Sequence, residues 1–109
     1  MSSDAALLVL TTCASVGEAE GLAKTLVERQ LAACVNMVRD VVSTYRWQDA
    51  VQQERETLLM IKTTETRLTA VEQTIKERSS YELPEVVALP VQAGSAEYLD
   101  WLRAAVTKG

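Results

Sequence analysis

Two extended segments in mid-chain, joined by a short polar turn, constrain the fold more than any other feature. Residues 34–47 read CVNMVRDVVSTYRW and residues 51–64 read VQQERETLLMIKTT. Both are rich in β-branched, aromatic and aliphatic side chains, and the first has no apolar stripe at helical spacing. Gln48-Asp49-Ala50 lies between them. This pattern predicts a β-hairpin. Each arm runs to about 14 residues, where strands usually have about 5 or 6. A hairpin that long overhangs a domain of 109 residues. Its distal part, with Tyr45, Trp47 and Val51, needs a surface to lie on. A bare ribbon exposes unpaired edges that invite other chains, so strand length alone predicts association with copies of itself. A chain of this length holds one hydrophobic core, and residues 1–109 are read as a single domain.

The flanking segments complete an α+β pattern. Residues 5–11, ALLVLTT, form a continuous apolar run suited to a central strand. Ser15 with Glu18 three residues later is a capping-box signature. Ala19, Leu22, Ala23, Leu26 and Val27 then mark a helix over 16–31. A second helix is predicted over 65–78, with Leu68, Val71 and Ile75 as its stripe and Thr64 as its N-cap. A loop over 79–84 leads to a short strand over 85–91, where Pro90 fits an edge or a strand end. Ser95 then caps a third helix striped by Tyr98, Leu99, Leu102, Ala105 and Val106. The order β-α-β-β-α-β-α predicts a ferredoxin-like βαββαβ sandwich with an added C-terminal helix. The first and third strands are the most apolar and belong at the centre of a four-stranded antiparallel sheet. The fourth belongs at an edge. Such a fold hosts many activities and names none.

Composition excludes several functions. The chain has no histidine, which removes His-based catalytic triads and histidine metal sites. With 11 basic and 15 acidic side chains its net charge is −4, so it lacks the positive footprint of a nucleic-acid binder. No apolar run approaches the roughly 18 residues of a membrane span. Met1-Ser2-Ser3-Asp4 has no basic region and the apolar run behind it is short, so no export signal is read and the cytoplasm is the expected address. Two cysteines, Cys13 and Cys34, do not make a disulfide scaffold and read as reduced thiols. No phosphate-binding glycine motif occurs, and nothing amounts to a catalytic constellation. The expectation is a binding protein, not an enzyme.

Few residues remain as candidates. Cys13 and Cys34 are either small buried hydrophobes or soft ligands for copper or zinc. Lys62, at the end of an apolar run, either snorkels or holds an anion in a cleft. Tyr81-Glu82-Leu83-Pro84-Glu85 packs two carboxylates, a phenol and a proline into five residues. It reads as a solvated turn, or as a polar cluster able to ligate a divalent cation through Glu82 and Glu85. Tyr45 and Trp47 share one strand face and suit a subunit contact. Tyr98 and Trp101, three apart on a helix, suit core or subunit contact.

Five segments in order resemble one family. They are Leu31-Ala32-Ala33-Cys34-Val35-Asn36, Ser43-Thr44-Tyr45-Arg46-Trp47, Ile61-Lys62-Thr63-Thr64, Tyr81-Glu82-Leu83-Pro84-Glu85 and Tyr98-Leu99-Asp100-Trp101. They are similar to the CutA divalent-cation tolerance proteins over nearly the whole chain. The resemblance implies a ferredoxin-like protomer in a tight, PII-like homotrimer, with long hairpins pairing between subunits and sheets packed around a three-fold axis. Tyr45, Trp47 and Trp101 would lie at the trimer interface. It also implies copper or another divalent metal as ligand, with Cys13, Cys34, Glu82 and Glu85 as candidate ligands, and no enzymatic reaction. By likeness to PII signalling proteins, a small anion in an inter-subunit cleft with Lys62, Trp47 and Tyr81 is an alternative. A scaffold for a protein partner is another. Two positions depart from the family pattern. Ser79 stands where the family usually has a histidine proposed to bind copper, and serine is a poor copper ligand. Asp49 stands where the hairpin turn usually has glycine; aspartate tolerates left-handed geometry, so the hairpin is expected to form.

Overall fold

The computed structural model describes residues 4–107. Residues 1–3, part of the segment read above for an export signal, lie outside it. The hairpin forms the long axis. Strand β2 spans Cys34–Trp47 and β3 spans Ala50–Thr64, 14 and 15 residues. They pair antiparallel from Cys34↔Lys62 to Trp47↔Ala50. Gln48 and Asp49 alone make the turn, both with positive φ, at 51° and 65°. A two-residue turn of that hand matches the right-handed twist of the paired strands. Asp49 therefore occupies a left-handed conformation that glycine enters without steric cost. Asp49→Gly is expected to raise stability by about 1 kcal/mol, read as a small upward shift of the thermal midpoint. An unchanged or lowered midpoint would show that the turn is not strained.

Strand β1, Ala6–Cys13, pairs antiparallel with β3 only from Ala6↔Thr64 to Cys13↔Thr57. Strand β4, Val87–Pro90, lies on the other side of β1. The sheet order is β2-β3-β1-β4, with the first and third strands central and Pro90 on an edge, as the apolar runs indicate. Where β1 stops, the hairpin changes character. Arg39 and Asp40 together oppose Thr57, a bulge in which Asp40 has φ of 59°. Beyond it Val41–Trp47 and Ala50–Glu56 pair only with each other. At about 3.3 Å per residue that ribbon projects more than 20 Å. The molecule measures 49 × 25 × 22 Å, and its radius of gyration of 14.5 Å exceeds the roughly 13 Å of a compact chain this long.

Helices α1, Val16–Glu28, and α2, Leu68–Arg78, cover one sheet face. Leu7, Val9, Leu59 and Ile61 point into them and pack with Ala19, Leu22, Leu26, Val71 and Ile75. Ser15 caps α1, its Oγ accepting from Glu18 N–H at 3.1 Å. The helix ends three residues earlier than the stripe suggests. Gln30 turns left-handed at φ 58°, and Leu31 N–H returns to the Leu26 carbonyl at 2.9 Å, a closure that satisfies the last carbonyls. A 3-10 turn over Glu65–Arg67 precedes α2. Thr64 makes no side-chain cap there. Asp4 Oδ1 instead accepts from Thr66 N–H at 3.0 Å, a partner too distant in sequence for local pattern to reveal. Helix α3, Ala96–Ala105, is capped by Ser95 Oγ, which accepts from Tyr98 N–H at 3.3 Å. Two guanidinium groups pin its region: Arg103 Nε donates to the Asp4 carbonyl and Arg67 Nε to the Val106 carbonyl, both at 2.7 Å.

The other sheet face is also apolar. Leu10, Leu58 and Met60 are half-buried on it, and Val38, Val87 and Leu89 are exposed. Helices α1 and α2 both pack on the opposite side.

Candidate functional site

The loop between α2 and β4 folds against the base of the projecting ribbon. Ser79 Oγ accepts from Tyr81 N–H at 3.0 Å, and Glu18 Oε2 accepts from Ser80 N–H at 3.3 Å. Ser79 thus shapes this turn. Tyr81 is thereby aimed at β3, where its hydroxyl donates to Glu56 Oε2 at 2.5 Å. Two residues along the same strand face, Glu54 Oε1 accepts from the Tyr45 hydroxyl at 2.8 Å. Between ribbon and loop opens a cleft of about 880 Å³. Tyr45, Trp47, Tyr81, Glu82 and Glu85 all line it. The structure brings these five predicted residues together.

Glu54 and Glu56 escaped the sequence reading. Their signal is faint: two carboxylates at i and i+2 in a strand share a face, and hairpin register places Glu54 opposite Ser43 and Glu56 opposite Val41. Glu56 is unusual for a carboxylate in being 9% exposed.

The field at the base of the ribbon is negative. Burial pushes the Tyr81 phenol well above its ordinary 10.0, and the Glu56 hydrogen bond and charge, then Glu54 and Glu18, push it further. The Tyr45 phenol is also raised, chiefly by its hydrogen bond to Glu54. Burial, with the charges of Glu18 and Glu56, pushes the Cys13 thiol from 9.0 up to about 11. These shifts fix the sign of an alkaline effect. Tyr81 and Cys13 hold their protons in the folded chain at pH values where the unfolded chain has released them. Their contribution to stability is complete below about pH 9 and is lost as pH rises through their folded values. Thermal midpoints are expected to fall between pH 9 and 11, and Cys13→Ser with Tyr81→Phe to flatten that fall. A pH-independent midpoint over that range would contradict the assigned burial.

The other candidates lie elsewhere. Cys13 is 1% exposed at the end of β1, opposite Thr57. Cys34 is half-buried at the start of β2, opposite Lys62. Five β3 positions separate them, about 16 Å of strand, so the two thiols do not share a site within one chain. Lys62 does not share a cleft with Trp47 and Tyr81 in one chain either. Trp47 pairs with Ala50 and Lys62 lies twelve residues further along β3, about 40 Å of strand. Its ammonium instead stands 5.6 Å from the Tyr98 ring centroid. Tyr98 is in turn 5.4 Å from Trp101, which is 48% exposed on α3. Among the described residues no three or more His, Cys, Asp or Glu side chains are placed to hold one metal ion.

The sheet order and the placement of two helices on one face define a ferredoxin-like α+β protein, here drawn out by an oversized hairpin. The chain belongs to the family described as CutA1 divalent ion tolerance protein, which matches residues 7–105. It is 47% identical over 96 residues to the divalent-cation tolerance protein CutA of Thermus thermophilus, covering 88% of this chain and 93% of that one. It is 39% identical over 97 residues to the chloroplastic protein CutA 1 of rice, Oryza sativa subsp. japonica, covering 89% of this chain. Here the chain spans about half the relative's length, 55%. The solved structure of the Thermus thermophilus protein superposes with a TM-score of 0.91 at 44% identity, covering 94% of this chain and 99% of that one. Among the described residues no helix is long and apolar enough to cross a membrane.

Proposed function

We propose that this single-domain chain acts in divalent metal ion tolerance, copper included, as a cytoplasmic homotrimer that binds metal weakly and catalyses no reaction of its own. The observation that carries the assembly is the apolar part of the sheet face away from α1 and α2 that α3, packed against β1 and β3 near Lys62, leaves uncovered. Leu10, Leu58, Met60, Val87 and Leu89 form it, continuous in register across three strands. Contiguous apolar surface of that kind marks an interaction site. The projecting ribbon, with half-buried Trp47 and exposed Tyr45, adds a second surface that a neighbour would cover. A two-stranded ribbon is marginal by itself. Three copies is the number implied by the family likeness, and in this reading Tyr45, Trp47 and Trp101 lie at their contacts. Two unpaired thiols suit a reducing compartment.

The metal role follows from family membership and from the accessible donors. Glu82 and Glu85 are exposed, and Cys34 is half-buried. Cys13 is the weakest of the four candidates, since burial opposes its thiolate. With these donors apart in one chain, water or a neighbouring copy must complete any coordination shell, which keeps affinity low. Calorimetry with Cu(II), Zn(II) and Cu(I) under reducing conditions tests the binding. Weak saturable heats reduced by Glu82→Gln and Glu85→Gln, or by Cys34→Ser for Cu(I), are expected. No heat with any of the three would remove direct metal binding.

A further inference from the structure

We propose that α3 is a strap held over one end of the outer sheet face, and that the Asp4 carboxylate is the acid-sensitive latch that keeps it there. The strap is lightly built. Helix α3 packs on β1 and β3 near Lys62. Leu102 is its buried residue, and Val106 is buried at its C-terminal cap. Neither belongs to the core under α1 and α2. Tyr98 and Trp101 are exposed, as are residues 92–95 that lead into the helix. An element with so few buried apolar groups opens locally at lower cost than the strands beneath it.

Three segments meet at the latch. The Asp4 carbonyl accepts from Arg103 Nε of α3 at 2.7 Å. The Asp4 carboxylate accepts from the Thr66 N–H at 3.0 Å, in the 3-10 turn before α2. The next carbonyl, of Ala5, accepts from the Glu65 N–H at 2.8 Å. Arg67 of the same turn reaches back to α3, its Nε donating to the Val106 carbonyl at 2.7 Å. Both guanidinium anchors of α3 therefore depend on the junction that this one carboxylate closes. All of these bonds lie within one chain and need no neighbouring copy.

Four charged groups surround the latch: Glu65 and Arg67 in the turn, and on α3 Arg103 with Asp100, its partner at 3.5 Å. Burial opposes the Asp4 charge, but the donors of Thr64 and Thr66 and the charge of Arg67 outweigh it, and the carboxyl is held below its ordinary 3.8. Its support for the fold is present above that value and is lost as pH falls through the lower folded one. Once protonated, Asp4 neither attracts Arg67 nor accepts from Thr66 as an anion, and α3 is released. Sister copies are read as packing on the same sheet face, so the latch also sets the border of their contact. Only that last link rests on the proposed assembly.

Hydrogen exchange, corrected for the intrinsic rate at each pH, tests the latch on the full chain in its native assembly. Acidification from neutral to about pH 3 is expected to lower protection over residues 99–105 while β1 and β3 keep theirs. Asp4→Asn keeps an acceptor for Thr66 but cannot titrate, and should abolish that pH dependence. Asp100→Asn should leave it in place. Asp4→Ala should lower α3 protection about fivefold at neutral pH, the effect of a lost helix cap. Protection of α3 that falls only together with the strands would overturn the proposal. An acid response in Asp4→Asn equal to the parent's would overturn it too, as would full protection in Asp4→Ala. Should Asp4→Ala not fold, the parent and Asp4→Asn decide by the same comparison. Sedimentation reads the assembly separately: a single chain at every pH removes the sister copies and leaves the latch to the exchange result.

Discussion

Met60→Glu is expected to release single folded chains from the assembly. Met60 lies on β3 with Leu10 and Asn36 as its register partners, on the face turned away from α1 and α2. In an isolated protomer a carboxylate there meets solvent and costs little. In a trimer packed through this face, each copy would bury one, at several kcal/mol per ion without a partner. The same residue in three symmetric copies triples the penalty and adds repulsion. Sedimentation should show one chain mass for the variant where the unaltered protein shows a larger species, with the far-ultraviolet circular dichroism little changed. A variant that sediments like the parent would place the interface elsewhere.

Ile61→Ala, one residue along the same strand, should act in the opposite way. Ile61 is fully buried between its register partners Val9 and Val35 and faces the core that includes Leu22, Leu26, Val71 and Ile75. Truncating a buried isoleucine to alanine costs about 2–5 kcal/mol, a large share of the roughly 5–15 kcal/mol of a typical domain. The thermal midpoint should fall by about 10 °C or more, with assembly retained in the chains that remain folded. A fall of a degree or two would mean that the site collapses around the smaller side chain or was never tightly packed. The contrast between neighbours 60 and 61 follows from the two-residue period of a strand, in which adjacent side chains point to opposite faces.

That period explains why so much of the fold is readable from the sequence. The apolar runs at 5–11 and 58–61 identify the central strands, and the hairpin arm over 34–47 coincides with β2. What the sequence hides depends on contacts distant along the chain or on backbone conformation. The stripe on α1 continues through Val27 to Leu31, yet Gln30 breaks the helix by turning left-handed. Thr64 has the right chemistry for a cap, but Asp4 performs that role across 62 residues. The bulge at Arg39 and Asp40 has no glycine to announce it.

The site divides along the same line. Tyr45, Trp47, Tyr81, Glu82 and Glu85 stood out as local clusters and do meet in one cleft. The cleft expected for Lys62 with Trp47 and Tyr81 is one between subunits, and within one chain strand length keeps Lys62 apart from both. Glu54 and Glu56 remained hidden because alternating polar residues on a ribbon look like a solvated face. Their meaning emerges only when Tyr81 reaches them from the loop.

Sedimentation equilibrium of the unaltered protein across a wide dilution series examines the whole account most directly. Sister copies sheltering the outer sheet face and the protruding strands predict three times the chain mass, held even in dilute solution. A well-folded species of one chain mass at every dilution would show that the ribbon stands unaided, and the assembly would have to be abandoned.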